Sequence, residues 1–274
     1  MDSINILNTT HKLPQMPKVV QELMDMVNSG DVNLNKVAEK IQLEQVISAR
    51  VLRLANSAYF GRNREVGSIN EAVIRIGLQP IRTLVLASSL VDSFPQIKGI
   101  NINQFWAQTF EVANLCKTIA KSTETTPDEA FTAGVMHSIG DLVVYTAVSD
   151  RVADMHALME TGKSWPEAQR IIINTDSASI GSDLANSWKF AEPLVNAIRK
   201  QYDPAVDADA QMELAHILRL SVKINTDWAD IADDEKANWL TSQEEFKILG
   251  LHESLVSEID DSIGKGAEMA GAIM

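Results

Sequence analysis

The chain is 274 residues long, 45% hydrophobic and 22% charged, the proportions of a globular protein with a substantial core rather than a disordered one. Its longest apolar runs, such as TLVLASSLV, are too short to span a bilayer, and the start, MDSINILNTTHKLPQMPK, lacks the positive-then-apolar pattern of a secretory signal. The net charge of −13 is uneven: residues 1–100 carry 11 Lys and Arg against 9 Asp and Glu, residues 226–274 carry 3 against 12, and such a surface disfavours nucleic-acid phosphates.

Helical spacing runs through nearly every segment, and no clean two-residue alternation appears. Val19, Val20, Leu23, Met24 and Val27 predict a first helix that Ser29-Gly30 stops. Leu34, Val37, Ala38 and Ile41 predict the next, with Asn33 as N-cap. Val46, Ile47, Val51, Leu52 and Leu54 form a third apolar face, and Ile69, Ala72, Val73 and Ile76 a short helix closed by Gly77. Pro80 opens another, in a first turn that tolerates it. A long helix is expected from about Gln104 to Lys121, then a buried helix in AFTAGVMHSIGDLVVYTAV, residues 130–148. Further helices are expected around 151–162, 165–174, 177–188, 191–202 and 210–224, and a tail of two short helices hinged near Gly250. The reading is all-α.

Arg50, Arg53, Arg62, Arg64, Arg75 and Arg82 could gather into a basic patch, although scattered arginines usually face water. The single cysteine, Cys116, sits on an apolar helix face and reads as packing. A lone cysteine fits a reducing, cytoplasmic setting. No phosphate-binding glycine loop, Cys-x-x-Cys pair or nucleophilic triad is present.

LPQMPKVVQELMDMV, ISARVLRLANSAYFG, SINEAVIRIGLQPIRTLVLASSL and AFTAGVMHSIGDLVV closely resemble, in order, the segments of the HDOD family, the HD-related output domains. The resemblance covers residues 13 to about 225. It implies an N-terminal helical bundle over 1–100 packed on a degenerate HD-like helical core over 101–225, with an acidic helical tail over 226–274. It implies kinship with HD metal-dependent phosphohydrolases, within a family generally regarded as a non-enzymatic part of bacterial signalling systems.

HD enzymes hold a divalent cation with a helix-borne His, a His-Asp pair and a later Asp, and the cation generates hydroxide and clamps phosphate oxygens. Carried onto this chain, the first His position is Gln108, the pair is His137-Ser138, the second residue of a frequent Asp-His is Ser177, and the late Asp is Arg219. In AIRKQYDP, Lys200, Gln201 and Tyr202 stand where relatives have histidines. Ser and Gln are poor ligands for a hard cation, and a permanent guanidinium repels one. Only His137 keeps a ligand type.

Gln108, His137, Ser138, Asp141, Ser177, His216 and Arg219 are therefore the candidate vestigial pocket. His137 and Asp141, four apart, could pair on one helix face. Arg219 could anchor a small anion there, or the space could be filled by side chains or water. Asn56, Tyr59 and Phe60 form a candidate interaction surface or fix a helix angle. Trp228, Trp239 and Phe246 dock the tail on the body or on a partner. The expected function is a non-catalytic signalling module without cofactor or membrane, touching unidentified signalling proteins and, as an option, a small anionic ligand. With no cyclase, phosphodiesterase or receiver segment it is expected to act in trans. A divergent metal-dependent phosphohydrolase, or a sensor of a nucleotide or other anion, are the alternatives.

Overall fold

A computed structural model describes residues 6, 18, 20–22, 33–57, 65–94, 97, 99–204 and 212–274. The described residues contain helices and no strand. They divide into two compact units, one gathering 1–13, 97–101 and 111–263, the other 14–96, 102–110 and 264–274, each over its described residues.

The second of these units holds α1 (Leu34–Gln42), α2 (Gln45–Ala55), α3 (Ile69–Ile76) and α4 (Leu78–Ser93). Asn33 caps α1 as expected, its Oδ1 accepting from the backbone N–H of Asn35 at 3.0 Å and Lys36 at 3.3 Å. Ser68 caps α3 through Glu71 N–H at 3.1 Å. Gly77, at φ 92°, joins α3 to α4, a conformation that strains any residue with a Cβ. α1, α2 and α3 pack on one another, and α4 packs on α2 and α3. Arg50 is no part of a basic surface: it is 9% exposed and pairs with Asp92 at 2.7 Å. Of the helix predicted over 19–27 residues 20–22 are described, and they are helical with Val20 buried, whereas Arg62 and Arg64 lie outside the described residues.

α5 (Ile102–Ala120) gives residues 102–110 to this unit and 111–120 to the other. The larger unit continues with α6 (Pro127–Met136), α7 (Ile139–Ala147), α8 (Val152–Glu160), α9 (Trp165–Ile173), α10 (Ser177–Ser187), α11 (Glu192–Arg199) and α12 (Glu213–Asp227). α10 packs on α7 and α11, α11 on α12, and α12 on α6. The expected single helix over 130–148 is two helices, broken at His137-Ser138. The break lets α7 approach α10 closely: a Cβ on Gly140 would lie 1.9 Å from the Ser177 carbonyl oxygen. Gly134 serves α6 in the same way, where a Cβ would fall 2.3 Å from Ala113 Cα.

Over 240–263 two short helices flank Gly250 as expected, α14 (Glu244–Ile248) and α15 (Leu255–Asp260), with α13 (Lys236–Ser242) before them and α16 (Lys265–Ile273) after. Residues up to 263 belong to the larger unit, and α16 packs on α2 and α4 in the other. Neither compact unit is continuous in sequence, because the chain runs out of one unit and back. No single helix among the described residues is long and apolar enough to cross a membrane.

Candidate functional site

The turn after α11, Lys200–Asp203, organises the expected pocket. Gln201 is 5% exposed, and its Nε2 donates to the carbonyls of His137 at 2.9 Å and Ile198 at 3.0 Å. A flipped amide would set oxygen against two carbonyl oxygens, so this orientation is fixed. It leaves Gln201 Oε1 buried without a donor. The next residue, Tyr202, places its hydroxyl 3.3 Å from Ser177 Oγ. The carbonyls of Lys200 and Asp203 each accept from an Arg219 guanidinium nitrogen at 3.1 Å. One turn therefore reaches His137, Ser177 and Arg219.

His137 closes α6. Its Nδ1 lies 2.6 Å from the Gly134 carbonyl, which only accepts, so Nδ1 carries the proton. Burial lowers its pKa to about 4, with the Gly134 bond acting the other way. Ser138 is buried at the start of α7, and its side chain does not cap that helix.

Asp141 does not pair with His137; the helix break has removed the shared face. Its Oδ1 accepts from Trp165 Nε1 at 2.7 Å and from Gln169 Nε2 at 3.4 Å. Burial raises its pKa, while the Ser177, Trp165 and Gln169 donors oppose the rise. Gln169 is fully buried, and its Oε1 accepts from Ser177 N–H at 2.6 Å, tying α9 to α10. Trp165 stacks against Tyr145 at 5.5 Å and His156 at 5.3 Å. Asp176 caps α10 and pairs with Arg170 at 2.6 Å.

Arg219, on α12, is 4% exposed. Besides the two carbonyls, it donates to His216 Nδ1 at 2.7 Å, which requires that nitrogen to be unprotonated. Its Nε is 3.7 Å from Glu245 Oε1, close enough to pair but too far to hydrogen-bond. Burial lowers the Arg219 pKa, with Glu245 and Asp203 acting in the other direction. Glu245, itself 1% exposed, also accepts from Lys223 Nζ at 2.8 Å. An arginine so engaged is an internal strut rather than an open anchor for an anion.

The structure joins Asp141 to Ser177 through Gln169, and His216 to Arg219, and it links these groups and His137 through the 200–203 turn. Gln108 is exposed and lies on the part of α5 that belongs to the other unit. Asn56 binds Val66 through both amide atoms, Oδ1 accepting at 2.7 Å and Nδ2 donating at 2.9 Å, a local staple after α2. Tyr59 and Phe60 lie outside the described residues. Cys116 is fully buried, and burial pushes its thiol up to about 12. Trp228 and Phe246 are buried within the larger unit, Trp228 donating to Asp260 at 2.8 Å and meeting Trp239 edge-on at 5.8 Å. Trp165, Gln169 and Glu245 were not foreseen, and only the Ser164–Glu167 capping pattern marked the start of α9.

The profile of the HDOD domain family matches residues 13–204. The chain belongs to the HDOD domain family. Among solved structures, this HDOD chain is 38% identical to a candidate phosphohydrolase of Shewanella amazonensis SB2B, covering 98% of each chain at a TM-score of 0.86. An HDOD domain protein of unknown function from Geobacter sulfurreducens superposes at 0.85 with 22% identity, covering 99% of this chain and 97% of that one. A candidate signal transduction protein of Marinobacter aquaeolei VT8 superposes at 0.75 with 19% identity, covering 97% and 61%. The HDOD chain spans 38% of the length of the curated relative it matches, an uncharacterized protein of Treponema pallidum (strain Nichols) 26% identical over 198 residues.

The HD kinship implies a divalent cation, and the donor set does not fit one. No group of three or more His, Cys, Asp or Glu side chains among the described residues could hold a metal ion. Asp141, Asp176 and His216 are each committed to an internal donor, and the donor to His216 is the guanidinium of Arg219, which would repel a cation. No catalytic step through a metal follows from these residues.

Proposed function

We propose that this HDOD chain is a non-catalytic signalling module that acts by contact with another protein. The observation that carries this reading is the Lys200–Asp203 turn, which binds three former ligand positions into one internal network. Support comes also from the family and from the signal transduction relative. Its acidic second half favours a partner with a basic surface. A metal-dependent phosphohydrolase is the second reading. His137 favours it, because a neutral imidazole anchored by Nδ1–H to a carbonyl is how metal-ligating histidines are held, and the 38% identical Shewanella protein is described as a candidate phosphohydrolase.

The test is metal analysis of the purified chain, with turnover of phosphomonoesters and nucleotides over a panel of divalent ions. The expected result is substoichiometric metal and no turnover. Near one equivalent of metal, with hydrolysis lost in His137→Ala, overturns the proposal.

A further inference from the structure

One indole in the larger unit holds a cation. Trp228 donates its Nε1–H to Asp260 at 2.8 Å. Lys236 Nζ lies 5.5 Å from the centre of the same ring and bonds the same carboxylate at 2.9 Å. The parts support one another: the ring face attracts the ammonium, and the carboxylate that anchors the indole edge supplies the counter-charge. The indole and its carboxylate recur at Trp165, whose Nε1–H meets Asp141 at 2.7 Å. The other groups acting on Asp141 are the neutral donors Ser177 and Gln169 and a second carboxylate, Asp176. We propose that the Trp165 cluster is a docking site for an arginine or lysine side chain of a partner protein, which takes the place that Lys236 fills at Trp228. The inference rests on the reading that the chain works by protein contact, and it names the surface and the chemistry recognised.

The two indoles differ in cover. Trp228 is 3% exposed, whereas Trp165 and Tyr145 are half-buried and His156 is exposed. The Tyr145 and His156 rings lie 5.5 and 5.3 Å from Trp165 and 6.2 Å from each other. On opposite faces of the indole they would be nearly twice as far apart, so both gather on one side of it. The three rings form a surface rather than a closed sandwich. Tyr and Trp are the residues on which interface energy concentrates, and a cation is held best over Trp. The acidities follow the same contrast. Burial acts upward on both carboxyls, but the Lys236 and Trp228 donors bring Asp260 below its ordinary value, while Asp141 stays above it. Glu160, exposed and four residues after His156 on α8, adds a carboxylate to that helix face. The cations of the same stretch act elsewhere, Arg151 on Asp150 and Lys163 on Glu167.

The experiment uses the full chain and follows the indole N–H signals of its five tryptophans by NMR. The probe is a capped glycine-arginine-glycine tripeptide at millimolar concentration, and its control carries citrulline, the neutral isostere, in place of arginine. The titration is run at about pH 8, because the raised pKa of Asp141 calls for alkaline conditions to ionise it. The Trp165 signal should move saturably, and the Trp228 signal, whose cation is in place, should not. The citrulline peptide should bind roughly twofold to fivefold more weakly, the worth of an exposed cation–π contact. Asp141→Asn, which still accepts from Trp165, should weaken the arginine peptide by a similar factor. Four results overturn the proposal: a Trp165 signal that does not move, equal affinity for the citrulline peptide, unchanged binding in a folded Asp141→Asn chain, or equal movement of all five indoles, which marks unspecific attraction to an acidic chain. Should Asp141→Asn not fold, the two peptides on wild type decide alone. A metal-free, inert chain with an unresponsive Trp165 removes only this surface, whereas metal-dependent turnover removes the signalling reading without changing the titration.

Discussion

Removal of the Glu245 charge should expose how strongly Arg219 depends on it. Arg219 is 4% exposed and Glu245 1% exposed. Across their 3.7 Å separation, an effective dielectric near 20 gives roughly 4 kcal/mol of attraction. Lys223 also contacts the carboxylate, but it is half-exposed and contributes less. Glu245→Gln keeps the side-chain size and the Lys223 hydrogen bond while leaving buried Arg219 with only the weaker influence of Asp203. Breaking one side of a buried pair costs about 3–5 kcal/mol. For a chain of this size that lowers the melting temperature by about 10 °C, and circular dichroism would follow it. Lys223→Gln, which removes only the half-exposed partner, should shift the midpoint by about 2 °C. Equal and small shifts in both variants would refute the reasoning, since Arg219 would then be compensated by its carbonyl contacts alone.

Three further outcomes are expected. Gly140→Ala should cost at least about 1–3 kcal/mol in urea titration, because its Cβ meets the Ser177 carbonyl oxygen, whereas Gly67→Ala, with nothing within 4 Å, should be near neutral. His137 has a folded pKa of about 4 against 6.5 in the unfolded chain, so the unfolded state binds the proton first. Stability should therefore fall as pH drops from about 6.5 to 4, by at most roughly 3 kcal/mol, and His137→Gln should flatten that part of the urea-derived profile. Asp141 has the opposite sign: its raised pKa makes the ionised form the costly one, and the stabilising contribution of its protonated form is lost as pH rises through the folded value. Asp141→Asn, which still accepts from Trp165 and Gln169, should be at least as stable as wild type at neutral pH, and a lower melting temperature there would contradict this account.

Most helices were legible because apolar residues at helical spacing and local caps act within one turn. Asn33 and Pro80 signalled their helix starts correctly. The break at His137-Ser138 was hidden because both flanking helices are apolar enough to read as one, and the reason for it is tertiary. Gly140 must come against Ser177, a residue 37 positions further along the chain. The exposure of Gln108 was likewise not legible. A motif position carries a residue to an aligned site, but it cannot report that the side chain faces solvent. The tail partners were beyond reach for the same physical reason, since Glu245 and Arg219 are 26 residues apart and no local pattern marks a buried ion pair.

Arg219 shows what burying a guanidinium demands: hydrogen-bond acceptors and a counter-charge close by. The acceptors are the carbonyls of Lys200 and Asp203 and the unprotonated Nδ1 of His216, and the counter-charge is the carboxylate of Glu245 at 3.7 Å. A single substitution at Arg219 back to Asp would set a carboxylate against two carbonyl oxygens, a bare imidazole nitrogen and a second carboxylate. It would meet no donor among those groups, so it should destabilise the fold rather than recreate a metal site. Rebuilding the site needs the 200–203 turn and the tail to change together, and Arg219→Asp with added divalent ions should melt below wild type and show no metal-dependent gain.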